Sequence, residues 1–332
     1  MKPIIICLTP VRNEAWILDR FLKATSLWAD YIIIADQMST DGSREIALKY
    51  EKVILINNNS EIYDESFRQK LLIEEARKLM GQKLLITLDA DEFFTPNLIN
   101  SHEWNEMINS KQGTVFCFQW VNINSEFNKF WNANYFPWGY MDDGYVHNSN
   151  NKIHNARIPL PNYAEQIRIN EIKVMHFQYT DWKRMLSKHR WYQCYEHVTY
   201  PEKSPLDIFR MYHHMYAIDT KSLNAIPEFW IRDYKNMGID IKERIDNGTY
   251  WWDERVLDYF DKYGVEYFKR IHIWDVNWNK LAKIWKRNKL KYNDPRTIID
   301  RFIHFFLFYT QIKKDNYIVF KFENQFRKRF DY

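Results

Sequence analysis

Three short stretches hold residue types suited to phosphate and metal chemistry. They are Asp89-Ala90-Asp91-Glu92, Ile34-Ala35-Asp36 with Ser39-Thr40-Asp41-Gly42-Ser43 behind it, and Thr9-Pro10-Val11-Arg12-Asn13-Glu14. Two aspartates one residue apart can share a divalent cation through oxygen ligands, and Mg2+ or Mn2+ bound in that way keeps room for substrate phosphates. Without a cation such a cluster is costly, because like charges repel at short range. The pair Asp89 and Asp91 could instead cap a following helix, as Asp often does. Position favours the metal, since the pair follows an apolar run at 84–88, the fourth such run in a series.

The elements that would position these residues can be read from periodicity. Apolar runs at 2–8, 31–35, 53–56 and 84–88 predict strands buried on both faces. Asn13 is the expected N-cap of a helix carrying Leu18, Phe21, Leu22 and Thr25 on one side. Asp41 is expected to cap a second helix reaching Tyr50, and residues 65–80 read as a long amphipathic helix. Repeated β-α-β units predict a parallel, doubly wound sheet, and ligands bind such sheets at the carboxyl ends of the strands. All three stretches leave such ends. Beyond Thr114 a strand is expected at 114–121, an aromatic loop region at 122–161 and a further strand at 171–179 ending near His176. Asp181 then caps a helix with Trp182, Met185, Leu186 and His189, and helices follow Pro201 and Pro205. The expected division is 1–112 as a ligand-binding α/β half, 113–200 as the second half of the same domain, and 201–332 as a mainly helical C-terminal region.

Composition narrows the class. The 332 residues are 46% hydrophobic and 27% charged, which excludes a mainly disordered or fibrous chain. A net charge of +4 gives no support for nucleic-acid coating. The start, Lys2-Pro3-Ile4-Ile5-Ile6-Cys7, has no leader-type cleavage site. Three cysteines without ligand spacing fit a reducing compartment, so a cytoplasmic location is expected. The 14 Trp and only 8 Gly are unusual and point to dense aromatic packing.

In their order and at their strand ends, the three stretches, with Leu88 leading into Asp89-Ala90-Asp91-Glu92, resemble the motifs of family 2 glycosyltransferases of the GT-A fold. The resemblance covers roughly the first 100 residues, continues loosely to His176 and fades beyond Glu196. It implies an α/β fold with a GT-A-type doubly wound mixed sheet, a nucleotide diphosphate sugar donor (a UDP-sugar) and a glycan or lipid-linked acceptor. It also implies Mn2+ or Mg2+. Carried over by position, Thr9, Pro10 and Arg12 would line the base and ribose pocket, and Asp36 would accept a hydrogen bond from the base. Asp89 would face the ribose or metal, and Asp91 would bind the metal. Most relatives carry a second acid where this chain has Gln37.

His176 stands where relatives often place a third metal ligand, although a structural histidine is the alternative. Arg68 resembles an arginine that approaches the donor; otherwise it would pair with Asp64 or Glu65. Lys188, Arg190 and Tyr192 could reach the diphosphate, or simply be solvated. An inverting transferase needs a base beside the acceptor hydroxyl. Asp142 and Asp143, in Asp142-Asp143-Gly144, are the expected pair, and the same residues also suit a turn. Trp120, Trp131, Trp138 and Tyr140 could stack on sugar faces or be core. A sugar nucleotidyltransferase would need a Gly-rich loop after the first strand, which Thr9-Pro10-Val11-Arg12-Asn13 lacks. A non-catalytic nucleotide- or carbohydrate-binding protein on the same fold is the other alternative.

In the tail, Ile298, Phe302, Phe305, Tyr309 and Ile312 fall at helical spacing, with eight basic and four acidic residues over 295–332. An aromatic stripe of this kind ordinarily packs on its own protein. The alternative is peripheral membrane contact through residues 295–332. The longest apolar run, 302–309, is too short to span a bilayer.

Overall fold

A computed structural model describes residues 2–147, 156–243, 248–287 and 291–332. The strands are β1 (Ile4–Val11), β2 (Tyr31–Asp36), β3 (Val53–Asn57), β4 (Lys83–Thr87), β5 (Glu92–Phe94), β6 (Val115–Ile123), β7 (Lys129–Met141), β8 (Gln166–His176) and β9 (Asn224–Ala225). The first helices are α1 (Ala15–Thr25), α2 (Ser43–Ala47), α3 (Glu65–Arg77) and α4 (His102–Ile108), followed by α5 (Trp182–Thr199) and α6 (Pro205–Tyr212). Then come α7 (Glu228–Asn236), α8 (Trp251–Tyr263), α9 (Trp278–Ile284), α10 (Ile298–Tyr309) and α11 (Tyr317–Phe330). The chain forms two compact units, Met1–Thr180 with Asn224–Asp246, and Asp181–Leu223 with Asn247–Tyr332. These limits differ from the expected boundary at 200, whereas 112 was expected to divide one domain into halves. Residues on both sides of 112 share one sheet, and the chain returns to it after 223.

The first unit is a mixed α/β sheet in the order β3-β2-β1-β4-β7-β6-β8-β5, with β9 on β7. Strands β1 to β4 pair in parallel, as expected, and β7 then joins β4 antiparallel. The period of two along a strand splits the apolar runs between two cores. Ile5, Cys7, Ile32, Ile34, Leu84 and Ile86 face α1, whereas Ile6, Leu8, Ile33, Ala35 and Leu85 face Leu72, Ile73 and Ala76 of α3. Helix α7 adds Trp230 and Tyr234 to the α1 side, and the Tyr234 hydroxyl donates to the Phe94 carbonyl at 2.6 Å.

Several expected elements are corrected. Much of the region read as loop at 122–161 is the long strand β7; expected residues 148–155 lie outside the described ones. Pro137 and Gly139 concealed the strand. Pro137 sits opposite Cys117 where the β6–β7 register shifts, the kind of bulge that tolerates a residue without an N–H. Gly139 lies where a Cβ would stand 3.0 Å from Phe116 Cβ and 3.1 Å from Ile86 Cδ1, so three strands approach closely there. The strand expected at 171–179 is β8, and the residues after His176 turn into a 3-10 segment, Gln178–Thr180. Asn13 is not the cap of α1. It takes a left-handed φ of 56° and accepts from Thr40 N through Oδ1 at 2.7 Å. Ser43 Oγ and Asp41 Oδ2 of the next loop accept from the N–H groups of Glu14 and Ala15, both at 2.9 Å. The cap of α2 is Gly42 in a left-handed conformation rather than Asp41, which accepts from Ser43 N at 3.0 Å, and the helix reaches only Ala47.

The second unit is helical, as expected. Asp181 caps α5 by accepting from Arg184 N. Its interior is rich in paired polar groups: Arg190 makes a two-armed contact with Asp275 at 2.8 Å on each arm, which leaves it a buried structural cation. His213 Nε2 lies 3.0 Å from His272 Nδ1, and His304 Nε2 lies 2.9 Å from the Arg270 carbonyl.

Burial pushes His213, His272 and His304 below the ordinary imidazole range, His304 to about 3. His272 adds to this at His213 and His304, whereas at His272 the Asp275 carboxylate opposes burial and Arg296 reinforces it. All three are therefore neutral when folded but accept protons once unfolded. Their contribution is intact above about pH 6.5 and is lost as pH falls below it. Denaturant unfolding at about pH 7.5 and about pH 5.5 should show a clearly lower midpoint at the acidic value, with a shallower fall in His304→Asn. Equal midpoints would contradict the assignment.

Candidate active site

The parallel strands aim their carboxyl ends at one edge of the sheet. Thr9 is fully buried there, while Pro10 and Arg12 remain partly accessible. Asp36 closes β2 and is almost wholly buried, with Oδ2 accepting from Arg44 Nη1 at 2.8 Å and Ser39 N at 3.3 Å. Its Oδ1 is buried with no hydrogen-bond partner among the described residues. Gln37, where relatives carry an acid, uses Nε2 to donate to the Ser60 and Ile62 carbonyls, so it shapes the loop after β3.

Beyond β4 the chain makes a tight acidic turn. Glu92 N donates to the Asp89 carbonyl at 2.9 Å, and Asp89 N donates to Glu92 Oε2 at 3.0 Å. Arg157 closes the turn. Its guanidinium donates to Asp89 Oδ2 at 2.8 Å and to Glu92 Oε2, and it lies 5.5 Å from the Trp138 ring centre and 6.0 Å from that of Trp120. Burial pushes the Glu92 carboxyl up; Arg157 opposes this, and Asp89 and Asp91 reinforce it. Burial alone would lower the Arg157 pKa, but Asp89 and Glu92 raise it and hold the guanidinium charged.

Asp91 points elsewhere. Its Oδ2 lies 3.6 Å from His176 Nε2, and β5 and β8 place His176 directly across from Glu92. His176 Nδ1 is 2.8 Å from Asn122 Oδ1, its register partner on β6, and the imidazole stacks on Trp120 at 4.4 Å. With the Asn122 oxygen as acceptor, Nδ1 carries the proton and Nε2 presents its lone pair toward Asp91. An imidazole nitrogen and a carboxylate oxygen so placed are a donor set that fits a divalent cation. Asp89, expected to share the metal, is instead engaged by Arg157. Among the described residues no group of three or more His, Cys, Asp or Glu side chains is arranged to hold a metal ion.

Arg68 lies near this edge on the first turns of α3. Its guanidinium carbon sits 4.5 Å above the Tyr63 ring, and Nη2 is 3.8 Å from Glu65. Asp64 serves a different purpose, capping α3 by accepting from Phe67 N at 2.9 Å.

Asp142 and Asp143, expected to supply the base, are at the wrong end of the sheet. Asp142 N donates to the Lys83 carbonyl, at the start of β4, whereas Asp89 follows the end of that strand. A five-residue strand rises on the order of 16 Å, so this separation excludes direct cooperation with the acidic turn. Arg77 grips Asp142 at 2.7 and 3.2 Å. Asp143 accepts from Tyr145 N at 2.9 Å and the Tyr163 hydroxyl at 2.8 Å, and lies 2.8 Å from His147 Nε2. Burial would raise the Asp143 carboxyl, but these hydrogen bonds and one from Tyr140 bring it down to about 2. Such a weak base suits a structural anchor. Trp138 and Tyr140 are fully buried and belong to the core, while Trp131 packs on Tyr179.

A four-strand parallel sheet with acids at its carboxyl edge, continued by antiparallel strands and a helical C-terminal region, is the GT-A architecture of glycosyltransferases. More narrowly, residues 6–159 match the model of glycosyl transferase family 2. The matched segment contains Asp36, Asp89, Asp91 and Arg157. No curated protein matches the sequence. Among solved structures, the chain is similar to HddC from Yersinia pseudotuberculosis at 12% identity, over 53% of this chain and 93% of that one, with a TM-score of 0.31.

Arg157 and Asn122 were not singled out from sequence, and Glu92 only as the end of the acidic stretch. The one available signal was the acidic turn itself, whose charge requires a nearby cation. Two substitutions separate the ends of the sheet. Asp142→Asn should lower stability by about 1 kcal/mol, because Arg77 loses its ionic partner but keeps the Tyr145 carbonyl, and leave nucleotide-sugar binding intact. Arg157→Met should both lower the melting temperature and weaken that binding. Thermal unfolding and calorimetry on each variant check this, and loss of binding in Asp142→Asn alone would reverse the assignment.

Proposed function

We propose that this protein transfers a sugar from a nucleotide diphosphate sugar to a hydroxyl, with a divalent cation and inversion at the anomeric carbon. The observation that carries the reading is the Asp91–His176 pair, oriented by Asn122 at the carboxyl edge of a sheet whose residues 6–159 match glycosyl transferase family 2. Asp91 and His176 would hold the cation, and an imidazole ligand suits Mn2+ better than Mg2+. When bound, the ion neutralises charge on the departing diphosphate. Arg157 fixes Asp89 at the ribose side of that position. Asp36, with a buried acceptor oxygen turned from its own partners, suits a donor N–H of a base such as uracil, and Thr9, Pro10 and Arg12 adjoin it. Arg68, held over Tyr63, stands at the same edge as a contact for the donor. Transfer breaks the bond from the anomeric carbon to the diphosphate, which departs with the electron pair, and forms one to the acceptor oxygen, whose proton passes to solvent water. A glycan or lipid-linked acceptor, and a working place on the cytoplasmic face of a membrane, complete the reading.

Calorimetry with Mn2+ and a panel of UDP- and other nucleotide diphosphate sugars tests it. Binding should vanish with EDTA and in Asp91→Ala, and weaken about tenfold in Asn122→Ala, which frees the imidazole from its orienting bond. Equal binding without metal in Asp91→Ala would overturn the metal assignment. Metal-dependent release of free sugar from one donor of the panel distinguishes an enzyme from a binding protein, and a product with retained anomeric configuration would exclude inversion.

A further inference from the structure

The apolar stripe of the tail turns outward. Ile298, Phe302, Phe305, Tyr309 and Ile312 are between 59 and 87% exposed. The opposite side of α10, through Ile303 and Leu307, is buried with Leu206, Phe209 and Phe326. Helix α11 extends the outward surface with exposed Tyr317, Ile318 and Phe320. The expectation that this stripe packs on its own protein is thus overturned: Ile303 and Leu307 do the packing, and the stripe is a second apolar face.

Charge around that face is predominantly basic. Arg301, Lys313, Lys314, Lys321, Lys328 and Arg329 are exposed on α10, α11 and the turn between them. Of the tail's four acids, Asp300 is buried in a capping box with Thr297 and Glu323 is buried against Arg210, while Asp315 and Asp331 are exposed, Asp331 reaching Arg270. We propose that this face docks on an anionic lipid bilayer. The aromatic and aliphatic side chains would enter the boundary between headgroups and acyl chains, and the lysines and arginines would meet lipid phosphates. Among the described residues no helix is long and apolar enough to cross a membrane, so the contact is peripheral. A second copy of the chain is the poorer occupant, because a two-fold interface would set this basic rim against itself. The proposal stands independently of the donor chemistry.

Co-sedimentation of the full chain with vesicles of phosphatidylcholine, and of phosphatidylcholine with phosphatidylglycerol, tests the surface. Pelleting is expected with the anionic vesicles and should weaken with salt. Each basic side chain near such a surface is worth about a fivefold change, so Lys313→Gln with Lys314→Gln should weaken binding about 25-fold. Phe302→Ser with Phe305→Ser should abolish it. These positions are exposed, so circular dichroism and nucleotide-sugar binding should be unchanged in both variants, which separates this result from any failure of the glycosyltransferase reading. No pelleting by the parent chain, or equal pelleting by all three proteins, overturns the proposal. A solution dimer dispersed by the Phe substitutions, without vesicle binding, overturns it in favour of a second copy.

Discussion

The buried contact of Arg157 with Asp89 and Glu92 is the constraint on which the site depends. The turn after β4 places three carboxylates within four residues, and Glu92 is fully buried. A desolvated carboxylate costs several kcal/mol unless it is paired and hydrogen-bonded. Arg157 meets that cost from a distant part of the chain and is itself lodged beside Trp120 and Trp138. By taking Asp89 and Glu92, it leaves Asp91 as the acid directed at His176. The division of labour among the three acids therefore follows from the position of one guanidinium.

Rigidity around that turn comes from strands rather than loops. Asp91 leads into β5, His176 ends β8, and Asn122 lies on β6, so ladder register fixes the spacing of all three side chains. At the other strand ends, Ser39, Asp41 and Ser43 tie the β2 loop to the start of α1. Both loops are thereby held before any ligand arrives, and a preorganised site spends less binding energy on ordering itself.

The fold was legible where one local signal sufficed. The runs Ile4-Ile5-Ile6, Ile32-Ile33-Ile34 and Leu84-Leu85-Ile86 announce strands buried on both faces, and the acids that follow them announce the edge where a ligand belongs. Strand β7 was hidden because Pro137 and Gly139 read as breakers, and only the register shift beside Pro137 and the crowding at Gly139 explain them. Asp142 and Asp143 were misplaced because a sequence shows that two acids follow an aromatic stretch but not which end of the neighbouring strand they meet. Arg157 was illegible for a related reason: a counter-charge can come from anywhere in the chain. In the tail, periodicity identified an apolar stripe correctly, but α10 has two apolar faces and the spacing alone did not say which is covered.

The return of the chain to the first unit sets a limit on dissection. Residues 224–246 bring β9 against β7 and lay Trp230 and Tyr234 over the core that contains Phe93 and Phe94. A fragment cut after Thr180 would keep every strand from β1 to β8 but lose that cover. It would expose aromatic surface and the free Phe94 carbonyl immediately behind the acidic turn. The sheet unit is discontinuous in sequence, so an autonomous version has to carry 224–246 along, joined by a linker in place of the excised helices.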